Sequence, residues 1–251
     1  MKARTWLTAA VVAASLAPGV ARAAGVEGRF SIAFQAGTQS EIAGDLIRGA
    51  QGTLVGKPFT IESKRYRDVY APDLRLQGLL GYGVGEKAEI IARGTYYKAD
   101  GADLEVGTFD GVPLNAYFSE RSTGSDRGAY EEVGFEVALR YYIAAAGRLK
   151  SYVAPVLGAR FLSEVLVTYS ASEAGSSVRN VPFTEKSTVA VFGLDIGFTV
   201  DLGDHLFVGL DSGLRYQTAP SPFEPYAGLA GVNDSEGKWS APVAAAVGVR
   251  F

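Results

Sequence analysis

Apolar and polar side chains alternate along most of the chain. In residues 29–39 the even positions carry Phe30, Ile32, Phe34 and Ala36, and the odd ones Arg29, Ser31, Ala33, Gln35 and Gly37. A repeat of two is that of a β-strand lying between an apolar and a polar environment. Residues 73–84, 88–97, 130–143, 151–162, 188–202, 205–216 and 241–251 repeat the pattern. The cleanest run sets Val133, Phe135, Val137, Leu139, Tyr141 and Ile143 against Glu132, Gly134, Glu136, Ala138, Arg140 and Tyr142. Residues 151–162 are ambiguous in polarity, and Arg160 assigns their inward face. Glycine-containing turns such as Gly85-Glu86-Lys87 and Gly203-Asp204 separate some strands, while longer segments of about 23 to 33 residues separate others.

Long and short connections alternate strictly through the eight strands. That rhythm predicts an all-β fold, an eight-stranded antiparallel up-and-down transmembrane β-barrel with short periplasmic turns and long extracellular loops. Each strand reaches the length of about 9 to 11 residues that a tilted strand needs to cross a bilayer. A soluble exported barrel of lipocalin type would alternate too, with the Leu, Phe and Val face turned inward. The polar face argues against it, being rich in Gly and Ala and carrying Arg as its cation. An eight-stranded lumen has room only for side chains, so small residues must alternate with long ones there.

Composition narrows the class further. The 251 residues suffice for one domain with a substantial core, and 47% apolar with 20% charged residues excludes a mostly disordered chain. No Cys is present, which excludes a disulfide scaffold and thiolate chemistry. Lys2 and Arg4 precede an apolar run from Trp6 to about Pro18, and Ala21-Arg22-Ala23 follows as a small-x-small cleavage pattern. Residues 1–23 are therefore expected to be a cleaved signal peptide, and residues 24–251 the barrel domain. Without Lys2, Arg4 and Arg22, 21 basic side chains face 27 acidic ones, a formal charge of −6 that offers nucleic acid no attraction.

The sequence at this point resembles the small eight-stranded outer-membrane barrels typified by the OmpA transmembrane domain and OmpX. The resemblance spans the mature chain as topology, and its sharpest local element is the end, Ala246-Val247-Gly248-Val249-Arg250-Phe251. In that family a terminal strand with alternating apolar residues and a final Phe is read by the outer-membrane insertion machinery. The resemblance thus implies Val247, Val249 and Phe251 as the insertion signal and the outer membrane of a Gram-negative bacterium as the location. No counterpart of the peptidoglycan-binding domain of full-length OmpA proteins is expected, and the loops are longer than a minimal barrel needs.

Registering the inward faces gathers Arg29, Arg75, Arg93, Arg140, Arg160, Arg215 and Arg250 with Asp73, Glu89, Glu132, Glu136, Asp195 and Asp211. Near-balance of charge in a poorly hydrated lumen predicts ion pairs bridging it. Such a network plugs the barrel; the alternative is a small gated channel for ions or solutes in which Glu136 and Arg140 exchange partners. No enzyme is expected. The only His, His205, falls in a predicted turn away from any nucleophile, and Gly81-Tyr82-Gly83-Val84-Gly85 lacks the helix and Lys of a phosphate loop. No cofactor or metal is implied, since Asn233, Asp234 and Glu236 lack EF-hand spacing.

Specificity then belongs to the loops. Lys57, Lys64, Arg65 and Arg67 cluster in the first and are candidates for lipopolysaccharide phosphates, against the alternative of an ordinary solvated charge run. In the second, residues 104–118 alternate around Asp110-Gly111, a hairpin signal that would extend the third and fourth strands above the membrane and offer an edge to a protein partner. Tyr66, Tyr70, Tyr96, Tyr130, Tyr216 and Trp239 lie near strand ends, where they suit either the membrane interface or packing of the loop bases. The expected partners are membrane lipid, lipopolysaccharide, the insertion machinery and an extracellular protein bound by the loops. The barrel is expected to be a monomer.

Overall fold

The computed structural model describes residues 25–71, 74–120, 129–223 and 231–251. The predicted signal segment and Asp73 lie outside the described residues. In chain order the first strands are β1 (Phe30–Ala43), β2 (Asp45–Ile47), β3 (Ala50–Leu54), β4 (Lys57–Ile61) and β5 (Lys64–Arg65). A helical turn, α1 (Tyr66–Val69), leads to β6 (Leu74–Gly85), β7 (Ala88–Asp100), β8 (Asp103–Phe109) and β9 (Val112–Glu120). Next come β10 (Ala129–Ala146), β11 (Leu149–Leu162), β12 (Val165–Ala171) and β13 (Ser176–Thr184). The chain closes with β14 (Ser187–Asp201), β15 (Leu206–Gln217) and β16 (Lys238–Arg250).

Eight of these strands form a closed antiparallel barrel in the order β1-β16-β15-β14-β11-β10-β7-β6. They are the eight alternating runs: β1, β7, β10, β11 and β16 are longer by two to four residues, and β6, β14 and β15 are shifted by one; β16 begins at Lys238, three residues before the predicted run. Closure joins the first strand to the last, with Ile32 opposite Val249 and Phe34 opposite Val247. Phe251 N–H adds a bond to the carbonyl of Phe30 at 2.8 Å. The eight-stranded up-and-down barrel inferred from alternation is therefore the fold.

Its polarity is inverted relative to a soluble protein. Phe30, Leu80, Phe135, Leu157, Phe161, Phe192, Leu194 and Val247 point outward and are all exposed, while Arg93, Glu136, Arg160 and Arg215 are buried within the wall. An apolar outer belt around a charged interior is stable where the surroundings are hydrocarbon. The ambiguous strand β11 obeys the same rule, with Arg160 inside and Leu157 and Phe161 outside. Among the described residues no helix is long and apolar enough to cross a membrane.

A second sheet covers the loop end of the barrel. Its order is β13-β12-β9-β8-β4-β3, so three of the four long connections contribute one hairpin each to a single six-stranded cap. The Asp110-Gly111 hairpin forms where the sequence places it, both turn residues having positive φ (53° and 80°). It does not extend β7 and β10 upward, however. It lies in the middle of the cap, β8 pairing with β4 and β9 with β12, because neighbouring hairpins satisfy its backbone edges. Phe59, Ile61, Val106, Phe118, Val167 and Phe183 form the cap core, which continues into the barrel mouth through Tyr97, Tyr130 and Leu162. Tyr66, Tyr70 and Tyr130 are buried in that core rather than placed at a membrane interface, whereas Tyr216 packs at a tilt against the exposed Trp239, ring centroids 5.0 Å apart, on the outer wall.

Candidate functional site

The lumen is filled from one end to the other. At its centre Glu136 of β10 is approached by four guanidinium groups: Arg160 at 3.2 Å, Arg75 and Arg215 at 3.5 Å, and Arg93 at 3.7 Å. Asp195 of β14 pairs with Arg93 at 2.5 Å and with Arg215 at 2.6 Å. Towards the cap, Arg160 also binds Glu132, and Glu132 meets Lys238 at 2.8 Å. Towards the short-turn end, Glu89 accepts hydrogen bonds from Arg140 at 3.1 Å, from the Tyr142 hydroxyl at 2.9 Å and from the Ser31 hydroxyl. Gln35 donates to Asp211 on the far side of β16. Below Val156, a small apolar patch of Leu79, Ile91, Tyr142, Tyr152 and Ala154 receives Val26 of the entering chain.

Several of these bonds cross the lumen instead of following its wall. β16 and β10 stand four places apart in the ring of eight, so Lys238–Glu132 spans the barrel, as does Arg250 to the Tyr142 hydroxyl at 3.3 Å. Removing one partner of such a buried pair leaves a charge with neither water nor counter-ion, which costs about 3–5 kcal/mol.

Local sequence makes the geometry possible. Arg160 pairs in register with Gly134, and the charged neighbours Glu132 and Glu136 flank that glycine. Arg215 likewise stands opposite Gly193 and Asp195 opposite Gly213, so the long side chains cross diagonally above a bare backbone. A Cβ at Gly193 would lie 2.5 Å from Arg215 Cδ. Glycine on the inward face is therefore the complement of each long partner.

Of the predicted lumen residues, Arg75, Glu89, Arg93, Glu132, Glu136, Arg140, Arg160, Asp195, Asp211 and Arg215 all face inward and are buried. Arg29 does not join them: it lies at the short-turn rim, half-buried, donating to the carbonyl of Asp204 at 3.4 Å, because β1 begins one residue later. Arg250 is buried against Asp201 at 3.1 Å. Lys238, Glu41, Gln39 and Lys150 are inward residues that the sequence reading missed. Lys238 precedes the recognised eighth run, and uncharged amides such as Gln39 give no charge-balance signal. Lys238, the first residue of β16, is a buried lysine among arginines. Its ammonium is held by Glu41 at 3.2 Å, Glu132 at 2.8 Å and the Tyr130 hydroxyl at 3.2 Å, with the Tyr130 and Tyr66 rings at 4.5 and 5.1 Å.

The basic residues of the first long connection fall on three elements. Lys57 opens β4 and pairs with Asp110 at 2.7 Å, Lys64 in β5 pairs with Glu62 at 2.9 Å, and Arg67 in α1 lies 3.8 Å from Asp68. Arg65 is exposed. In the last long connection, Asn233 donates to the carbonyls of Phe183 and Phe223 at 2.9 and 2.6 Å, and Asp234 pairs with Arg48 at 2.7 Å. These groups tie loop to cap. His205 sits beside the carbonyl of Arg250, Nδ1 to O 2.9 Å, at the short-turn end.

Burial sets the cap tyrosines apart chemically. Loss of hydration pushes the Tyr66 hydroxyl up to about 12, against the pull of Lys238, and raises Tyr70 and Tyr169 further above the ordinary phenol range. They remain neutral at any physiological pH.

Val247 and Phe251 point outward and are exposed, with Val249 half-buried between them. No protein-family model matches the sequence, and no curated protein sequence does. Solved structures similar in fold include OprG from Pseudomonas aeruginosa (14% identity, TM-score 0.46, covering 90% of this chain and 96% of that one). The attachment invasion locus protein Ail of Yersinia pestis has 12% identity and a TM-score of 0.38, over 90% of this chain and 99% of Ail. Neisserial surface protein A has 16% identity and a TM-score of 0.36, over 90% and 98%. The chain thus resembles the small eight-stranded outer-membrane barrels, an assignment of fold that rests on the closed strand order and the inverted polarity of its wall.

Proposed function

We propose that the protein is a non-enzymatic outer-membrane barrel whose plugged lumen serves as a rigid mount for an extracellular cap that makes contacts at the cell surface. The observation that carries this reading is the packing of the lumen. The spaces beside Arg140, Tyr152 and Asp211, and beside Arg93, Asp195 and Arg215, are each about 10 Å³, the size of one water at most. The apolar core of the cap seals the mouth above them. Ions need a hydrated path, and salt bridges across the barrel occupy the place of one.

In this reading the short turns are periplasmic and Val247, Val249 and Phe251 serve the insertion machinery. Lys57, Lys64, Arg65 and Arg67 contribute weak contacts to lipopolysaccharide phosphates, three of them already sharing charge with a carboxylate. The test is single-channel recording of the refolded mature chain in a planar bilayer, once heat-dependent gel migration has established a folded barrel. Silence across the voltage range supports the mount. Reproducible conductance steps would replace it with the gated channel.

A further inference from the structure

The cap sheet is curled around a cavity of about 70 Å³. All six strands line it: Leu54 ends β3, Phe59 and Ile61 come from β4, Phe109 from β8, Leu114 from β9, Tyr169 from β12 and Val178 from β13. The two terminal strands of the sheet thus border one space. At its base β13 is joined to the last long connection by the Thr184–Pro222 bridge. Of the lining residues Val178 is 47% exposed, and Val55, which follows the lining Leu54 in sequence, is 92% exposed, apolar groups that water does not favour. Val55 also holds φ at +52°, a conformation that β-branched residues rarely adopt.

We propose that this cavity binds a single alkyl chain of a neutral or zwitterionic amphiphile. One water needs roughly 10–15 Å³ of such space, so the volume admits several chain carbons. The walls are aliphatic and aromatic side chains, with Ser176 and Ser177 the hydroxyls on the β13 side. An inserted peptide strand would bring N–H and C=O groups against those walls without partners, a penalty that a hydrocarbon does not incur. The head group is specified by what lies beside the opening. Lys57, opposite Leu54 in the β3–β4 ladder, is held by Asp110 at 2.7 Å and sits 5.8 Å from the Phe109 ring, a dipolar pair that suits a zwitterionic head group better than a bare anion and leaves Lys57 only weak contacts with phosphate. The inference depends on the fold of the cap and is independent of whether the lumen conducts.

The test is methyl NMR of the full mature chain in nanodiscs of deuterated phosphatidylcholine, titrated with 1-hexanol. Saturable shifts are expected at Leu54, Ile61, Leu114 and Val178, while the outward-facing Leu157 and Val247 move linearly through bulk partitioning. Val178→Asp places a charge at the half-exposed rim without entering the core and should weaken hexanol roughly tenfold or more. Ala171→Phe fills the cavity and should abolish saturation, heat-modifiable migration confirming that each variant is folded. A spin label on the lipid chain separates the sources: broadening of the four methyls means that a bilayer chain occupies the cavity, and no broadening with saturable hexanol means a free amphiphile. The proposal is overturned if the four methyls do not saturate, if Val178→Asp binds as tightly as the native chain, or if an alternating apolar peptide saturates them where hexanol does not.

Discussion

Arg160 and Glu136 meet at 3.2 Å on adjacent strands although they are not cross-strand partners, because the residue opposite Arg160 is Gly134. The missing side chain lets the guanidinium lean over the ladder, reaching Glu136 below and Glu132 above. Glu136 thereby becomes the anion shared by four arginines. The substitution Glu136→Gln keeps the volume and removes that charge. Stability should fall by about 3–5 kcal/mol, read as a lower urea midpoint of the folded, heat-modifiable form; an unchanged midpoint would show that the arginines are compensated elsewhere.

Lys238 sits where the barrel meets the core beneath the cap, paired with Glu41 of β1 and Glu132 of β10 and facing the Tyr66 and Tyr130 rings of that core. In Lys238→Met Glu41 loses the cation it pairs with and Glu132 is left with Arg160, beneath the cap core. Limited proteolysis should then cut the cap hairpins at urea concentrations that leave the barrel intact. Simultaneous loss of cap and barrel would show that the two unfold as one unit.

Glycine positions inside and outside the wall should respond unequally. At Gly213 a Cβ would lie 2.6 Å from the carbonyl of Leu194, whereas at Gly94, on the outer face, it meets nothing within 4 Å. Gly213→Ala is expected to cost about 1–3 kcal/mol from overpacking. Gly94→Ala should be neutral within measurement. Equal effects would mean that backbone entropy, common to both, dominates.

The cap has a defined alkaline limit. Tyr66 ionises at about 12 in the fold and at its ordinary 10.0 in the unfolded chain. Below pH 10 both states hold the proton and stability is independent of pH. Above it the unfolded state binds fewer protons, so stability falls by up to about 1.4 kcal/mol per pH unit for this group until the folded value is passed. Tyrosinate absorbance should therefore rise between pH 10 and 12 together with cap proteolysis. In Tyr66→Phe that contribution to the slope should vanish.

Val55 offers the reverse experiment. An Asn tolerates positive φ where Val does not, and Val55→Asn should stabilise the β3–β4 hairpin by about 1 kcal/mol. Hydrogen exchange of the β4 amides would register it as slower opening.

Alternation by itself determined the barrel. Whether a residue faces lipid or lumen is a matter of odd or even position along its own strand, so Phe135 and Glu136 declared their sides without any knowledge of their neighbours. Strand number and the order of long and short connections are equally local, and Asp110-Gly111 marks its turn unaided. The tertiary structure decided which charge meets which. That depends on register between strands distant in sequence, on the barrel diameter that Lys238 crosses to reach Glu132, and on where β1 begins, which left Arg29 at the rim. It decided the cap as well. Asp110-Gly111 announces one of its hairpins, but pairing of β8 with β4 and of β9 with β12 joins separate loops through backbone groups that are the same in every residue. Hydrogen bonds of that kind leave no signature in side-chain order, and only the folded chain brings their edges together.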